Sequence, residues 1–189
     1  MVTNGQNIPI RELQKLINGC ITRDRTCQKK IYEIYGPSMF SVCLRYSKNR
    51  EEAEEVLQDG FLQLYKCILQ FKNTGSFEGW VRRIMINCAL QRCRGRTRRF
   101  NLVPLTEEQF FLSSKNDLID RLSEKELILL IQTLPPAYRL VFNLYVFEGM
   151  KHREIASLLK ITEGTSKSNL SDARYILKKH LTPDLKIAR

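Results

Sequence analysis

Apolar residues along this chain recur three and four positions apart rather than at alternate positions, and that spacing predicts helices throughout. Residues 8–16 make a short leading helix, with Pro9 tolerated in its first turn. Over 25–46, Ile31, Ile34, Tyr35, Phe40 and Leu44 return at helical spacing, and Gly36-Pro37 predicts a bend or a brief interruption. A second long helix opens on Arg50-Glu51-Glu52-Ala53-Glu54-Glu55, whose acids suit the positive end of a helix. Its inward face uses Ala53, Val56, Leu57, Phe61, Leu64, Tyr65 and Ile68. Asn73-Thr74-Gly75-Ser76 is turn chemistry, after which 77–100 forms a third major helix, apolar on one side and densely basic elsewhere.

Residues 101–120 change character, with Pro104, Glu107, Glu108, Ser113, Ser114, Asn116 and Asp117 set among Phe110 and Phe111; they read as a linker. Helical spacing resumes over 122–134 and 138–147, broken at Pro135-Pro136. There is no strand alternation, internal repeat or low-complexity tract. The expected fold is all-α: two small helical domains, 8–100 and 121–185, joined by a linker over 101–120.

The second domain ends in two helical phases separated by a short turn, over 150–181, which predicts a helix-turn-helix. Ile155, Ala156, Leu158 and Leu159 give the first helix its apolar side, and small Ala156 lets a second helix cross closely. Thr162 is placed to cap that second helix, and Glu163 suits its positive end. The helix is expected to expose Thr165, Ser166, Lys167 and Asn169 while Leu170, Ala173 and Leu177 look inward. Small polar and basic side chains at the start of such a helix can hydrogen-bond to base edges in a major groove, which points to DNA.

Charge sharpens this reading. The formal net charge is +11, and residues 1–100 hold 18 Lys/Arg against 9 Asp/Glu, while 101–189 hold 13 against 11. A field so concentrated attracts polyanions to one part of the surface. Arg82, Arg83, Arg92, Arg94, Arg96, Arg98 and Arg99 follow one another with no acid between 79 and 106. If about five of them neutralised phosphates, log affinity would fall with log salt at a slope of roughly −4 to −5. Phe71, Phe77 and Trp80 flank the 73–76 turn; they are either core or a platform for an unstacked base. Asn87 and Gln91, one turn apart, both donate and accept hydrogen bonds, as base recognition requires.

Other chemistry is sparse. The chain has no HExxH, GxxxxGKS/T or GxSxG motif and no close Cys/His arrangement, which argues against an enzyme. Cysteines 20, 27, 43, 67, 88 and 93 form no CxxC pair and are expected as free, largely buried thiols rather than metal ligands. No metal, cofactor or small-molecule substrate is implied. No apolar run is long enough to span a bilayer, and the N-terminus lacks the basic-then-apolar order of a secretory signal, so a cytoplasmic location is expected.

Four stretches in order, EEAEEVLQDGFLQLYK at 51–66, GSFEGWVRRIMINCALQRCR at 75–94, LPPAYRLVFNLYVFEGM at 134–150 and HREIASLLKITEGTSKSNLSDARYILKKHL at 152–181, resemble the extracytoplasmic-function sigma factors of bacterial RNA polymerase, within the sigma-70 superfamily. The resemblance covers roughly residues 27–182. It implies a region 2-like first domain and a region 4-like second domain, core RNA polymerase and promoter DNA as partners, and an anti-sigma factor, frequently membrane-bound in this family. It also implies that Gln58, Asp59, Phe61, Leu62 and Tyr65 dock on the polymerase. Asn73, Thr74, Ser76, Phe77, Arg82, Arg83, Asn87, Gln91, Arg92 and Arg94 would recognise the −10 element as duplex and as melted non-template strand. Trp80 would support them. Thr165, Ser166, Lys167, Asn169 and Arg174 would read the −35 element. The linker would thread near the path of nascent RNA, where Glu107, Glu108, Asp117 and Asp120 would partly imitate a polyanion.

The chain departs from the family pattern at Gln91, often an acid; at Ser166, often apolar; and at Asn169, often Arg or Lys. Lys151 stands where a small polar cap is usual, and an amine cannot accept backbone hydrogens. A stand-alone helix-turn-helix regulator is the competing reading; it needs only the second domain and leaves residues 71–99 without a role.

Overall fold

The computed structural model describes residues 8–73, 75–93 and 123–181. The chain divides into two compact units, 1–100 and 101–189. Both are helical. The first contains α1 (Ile10–Ile21), α2 (Arg25–Tyr46), α3 (Arg50–Cys67), a short 3-10 turn (Ile68–Gln70) and α4 (Phe77–Cys93). The second contains α5 (Glu124–Gln132), α6 (Pro136–Val146), α7 (His152–Leu159) and α8 (Glu163–Leu181).

In the first unit α2, α3 and α4 pack against one another, and α1 lies on α2 and the 3-10 turn. α1 buries Leu13, Leu16, Ile17 and Cys20, one stripe of an amphipathic helix. It runs on to Ile21, well past the expected end at 16, with Pro9 at its N-cap rather than inside its first turn. Positive φ at Arg23 (63°) turns the chain into α2. There the Asp24 carboxylate accepts the Thr26 N–H at 2.7 Å and the Cys27 N–H at 3.4 Å. At the start of α3, Asn49 accepts the Glu52 N–H at 3.0 Å while Glu52 accepts the Lys48 N–H at 2.7 Å, a reciprocal cap.

Gly36-Pro37 does not interrupt α2, which continues through Pro37 for 22 residues. Proline removes one helical hydrogen bond, but its exposed ring points to solvent. Meanwhile Ile31, Tyr35, Met39, Val42, Cys43 and Tyr46 bury the opposite side along the whole length. Ile34, Phe40 and Leu44, expected in that stripe, are only half-buried. The six cysteines are free thiols, and Cys20, Cys43 and Cys67 are buried. Burial pushes the Cys43 thiol up to about 12, which keeps it protonated and unreactive.

The second unit closes around Ile131, Leu134, Val141, Leu144, Ile155 and Ala173. Ser123 and Glu126 form a capping box at α5, and Pro136 occupies the first turn of α6. The Arg139 guanidinium is buried and donates to the Gln132 and Leu134 carbonyls at 3.3 and 2.9 Å, covering the exit of α5. α7 ends at Leu159 and is capped by Lys160 in the left-handed region (φ 57°), and Ile161 N–H reaches back to the Ala156 carbonyl at 3.0 Å. Three residues therefore separate α7 from α8. As expected, Lys151 gives α7 no side-chain cap, although Glu154 accepts the Lys151 N–H at 2.7 Å.

Candidate nucleic-acid interface

α8 begins as the sequence anticipates. Thr162 Oγ1 accepts the Thr165 N–H at 3.0 Å and lies 2.8 Å from the Thr165 hydroxyl, so Thr165 is exposed but shares in the cap. Leu170, Ala173 and Leu177 are buried against the rest of the unit. That inward stripe turns Thr165, Lys167, Ser168, Ser171 and Arg174 outward and leaves Asn169 half-buried at the edge. Lys167 Nζ pairs with Glu163 at 2.8 Å across one turn, with both groups largely in solvent. The Arg174 guanidinium lies 5.7 Å above the Tyr145 ring.

Ser166 contradicts the expectation of an exposed base contact: it is 0% exposed. It lies four residues before Leu170 and seven before Ala173, on the same stripe, so it faces α7 and cannot reach a groove. Its hydroxyl is 2.9 Å from His152 Nδ1 at the start of α7. His152 was not anticipated as part of this surface. The His152 ring stacks on Tyr145 of α6 at 4.7 Å between centroids. Desolvation, with help from Lys167 and Arg174 and against Glu163, lowers the His152 pKa, so the imidazole is neutral at neutral pH.

In the first unit the turn before α4 places Asn73 exposed with φ 56°, and Ser76 exposed at the helix start. Ser76 Oγ accepts the Gly79 N–H at 3.4 Å, and its carbonyl accepts the Trp80 N–H at 3.0 Å. Thr74 and Arg94 lie outside the described residues, as do Glu107, Glu108, Asp117 and Asp120. Phe77 is 1% exposed and is core rather than a base platform. Tyr35 (5.4 Å), Phe71 (5.1 Å) and Trp80 (5.8 Å) enclose its ring. The aromatic cluster thus fixes the start of α4, while Phe71 and Trp80 remain half-buried at its rim.

Along α4, Arg83, Asn87 and Gln91 are spaced by four and share a face, with Arg83 and Asn87 half-buried and Gln91 exposed; Arg82 is half-buried beside them. Arg92 is directed elsewhere. Its guanidinium pairs with Glu55 and, at 3.2 Å, with Asp59 of α3. The acids of α3 therefore pair with a cation expected to meet phosphate, and Asp59, expected on the polymerase-docking surface, is one of them.

The remaining α3 residues of that surface gather with α2. Gln58, Leu62 and Tyr65 line a groove with Tyr32, Pro37 and Phe40, and Arg50 stacks over Phe40 at 5.2 Å. Phe61, expected as a contact, is buried in the floor, 4.7 Å from Tyr32 and 6.1 Å from Tyr65. Leu62 and Tyr32 stay 53% and 47% exposed, an apolar rim in contact with water. Tyr32 was not singled out in the sequence and Phe40 was read only as part of the α2 stripe, because their partners in the groove are on another helix. Among the described residues no helix is long and apolar enough to cross a membrane.

Residues 31–99 match the family model for sigma-70 region 2, and residues 119–177 match sigma-70, region 4. This chain belongs to the extracytoplasmic-function sigma factors of the sigma-70 family. It is 28% identical over 165 residues to the RNA polymerase sigma-H factor of Pseudomonas aeruginosa, covering 82% of this chain and 86% of that protein. It is 27% identical over 180 residues to the ECF RNA polymerase sigma factor SigW of Bacillus subtilis, covering 89% and 96%. The solved complex of the sigma factor RpoE with the anti-sigma factor NepR from Bartonella quintana aligns with a TM-score of 0.45 at 21% identity, over 85% of this chain and 98% of that one. As a sigma factor, this protein acts in core polymerase binding, promoter recognition and transcription initiation, and it is not an enzyme. The region 2 match removes the stand-alone regulator, which had no use for the first unit.

Proposed function

We propose that this sigma factor divides promoter recognition between its two units, with α8 reading the −35 element in the major groove and α4 with its preceding turn engaging the −10 element. The observation that carries the reading is the two-sided α8: Ser166, Leu170, Ala173 and Leu177 inward, Thr165, Lys167 and Arg174 outward. Thr165 and Lys167 face the bases, Asn169 contributes from the edge, and Arg174 meets phosphate. In the first unit Asn73 and Ser76 border the displaced base, while Arg82, Arg83, Asn87 and Gln91 follow the strand. Opening needs no hydrolysis, because unstacking costs a few kcal/mol, which protein contacts to the displaced strand offset. Thr74 and Arg94 keep their assignment from sequence, within a region 2-like domain over 8–100 and apart from a region 4-like domain over 121–185.

The groove rimmed by Tyr32, Gln58, Leu62 and Tyr65 docks on core RNA polymerase, where burial of its exposed apolar rim supplies affinity. An anti-sigma factor, a partner of the kind captured with RpoE of Bartonella quintana, would act by covering this groove and the outward face of α8. The test is transcription in vitro from a library of promoter DNA, comparing core polymerase alone with core plus this protein. New starts at defined promoters, lost with Leu62→Asp and, when the distal element is scrambled, with no further loss from Lys167→Ala, support the division. Starts that ignore the distal element refute the role of α8.

A further inference from the structure

Ser166 and His152 form a polar contact inside the otherwise apolar seam between α7 and α8. We infer that His152 is a positioning residue for promoter recognition: with Ser166 and Tyr145 it fixes the rotation of α8 about its own axis, and so decides which side chains reach the bases. The inference rests on the assignment of α8 to the −35 element.

The contacts form a bracket. From Ser166 in the first turns of α8 it passes to His152, the first residue of α7, at 2.9 Å. It continues to Tyr145 of α6, stacked on His152 at 4.7 Å and 23°, and returns to α8 at Arg174, 5.7 Å above the Tyr145 ring. The two points held on α8 are eight residues apart, about 12 Å along the axis. Apolar packing at Leu170, Ala173 and Leu177 is non-directional and tolerates small rotations. A hydrogen bond is not so tolerant, and a fully enclosed hydroxyl that turns away from its partner finds no water.

That difference matters because side-chain ends lie roughly 5–6 Å from a helix axis, so a rotation of about 10° moves them by about 1 Å. A displacement of this size exceeds the tolerance of a base-reading hydrogen-bond constellation, about 0.5 Å. Ser166 thus serves recognition without touching DNA, and His152 is its partner across the seam.

The experiment uses the full chain with core polymerase and compares the protein with His152→Phe, Ser166→Val and the double variant. His152→Phe keeps a ring to stack on Tyr145 but leaves the Ser166 hydroxyl unpartnered. The double variant makes the seam wholly apolar. Each is assayed for open-complex formation on a matched promoter, on a promoter with one changed base pair in the −35 element, and on one with that element scrambled. Thermal melting is measured in parallel.

The expected result is a selective one. Both single variants raise the half-saturating holoenzyme concentration on the matched promoter by about tenfold, the share of one base contact, and leave the opening rate unchanged. On the scrambled promoter they behave as the unmodified protein. The double variant regains melting temperature yet discriminates the single base change about tenfold less well. Recovery of both melting temperature and discrimination would make the polar pair mere packing and overturn the inference. So would equal losses on matched and scrambled promoters. If the unmodified protein ignores the scrambling, the assignment of α8 itself fails and the inference falls with it.

Discussion

Gly60 sits in the middle of α3, facing α4, and replacing it by alanine should weaken the first unit although alanine is the better helix former. A Cβ at this position would collide with Met85 Sδ and stand 3.0 Å from Met85 Cε. Met85 is fully buried, so its thioether cannot swing into solvent. Alanine over glycine gains about 1 kcal/mol of helix propensity, whereas overpacking a closed core costs about 1–3 kcal/mol. With a compliant methionine as the obstacle, the middle of that range applies and the net loss is about 1 kcal/mol. Met85→Val removes the obstructing atoms and by itself costs about 2 kcal/mol in lost burial and cavity. In the double variant the alanine methyl fills part of that space, so the two losses should fall short of their sum by at least about 1 kcal/mol. The assay is urea unfolding followed by tryptophan fluorescence. Trp80 is the single tryptophan and packs on Phe71 and Phe77, so it reports the first unit without contribution from the second. A Gly60→Ala protein as stable as the parent, or strictly additive losses, would refute this account of the α3–α4 contact.

Thr162→Ala should cost the second unit about 1 kcal/mol by freeing the Thr165 N–H, and Thr162→Ser should recover most of it, as read by circular-dichroism melting. His152 has a lowered folded pKa, chiefly from desolvation, so its contribution is present above the ordinary value of 6.5 and is lost as the pH falls below it. Melting temperature of the second unit should therefore drop on acidification from that point, and His152→Phe should flatten this part of the profile. Lys167→Ala should lower affinity for a matched −35 element by about tenfold and leave affinity for a scrambled one unchanged, since its pairing with Glu163 is largely solvated and exchanges readily for a base edge. Arg92→Ala should change the slope of log promoter affinity against log salt by less than about 1, because Glu55 and Asp59 compete with phosphate for its guanidinium, and should alter stability by less than about 1 kcal/mol.

Local chemistry and periodicity were legible along the chain. The stripe Leu170, Ala173 and Leu177, the Thr162 cap and the turn at 160–162 lie within a few residues of one another, so the helix-turn-helix was legible before any fold was known. The same holds for the inward face of α3, and the order of four motifs identified the family. Contacts between residues far apart in the chain came only from the packing of helices. Ser166 reads as a small polar residue near a helix start, and only the crossing of α7 places it against His152 and out of reach of DNA. Arg92 belongs to a basic run until α3 brings Glu55 and Asp59 beneath it. Phe77 has three aromatic neighbours, of which Tyr35 comes from α2 and closes the cluster. Pro37 carries a strong local signal for a bend or break, yet burial along the opposite face of α2 outweighs one missing hydrogen bond. Helical spacing states that a residue lies on a given side of its own helix; which side chains come to meet it is set by packing between helices, and that is where contact surface and core part company.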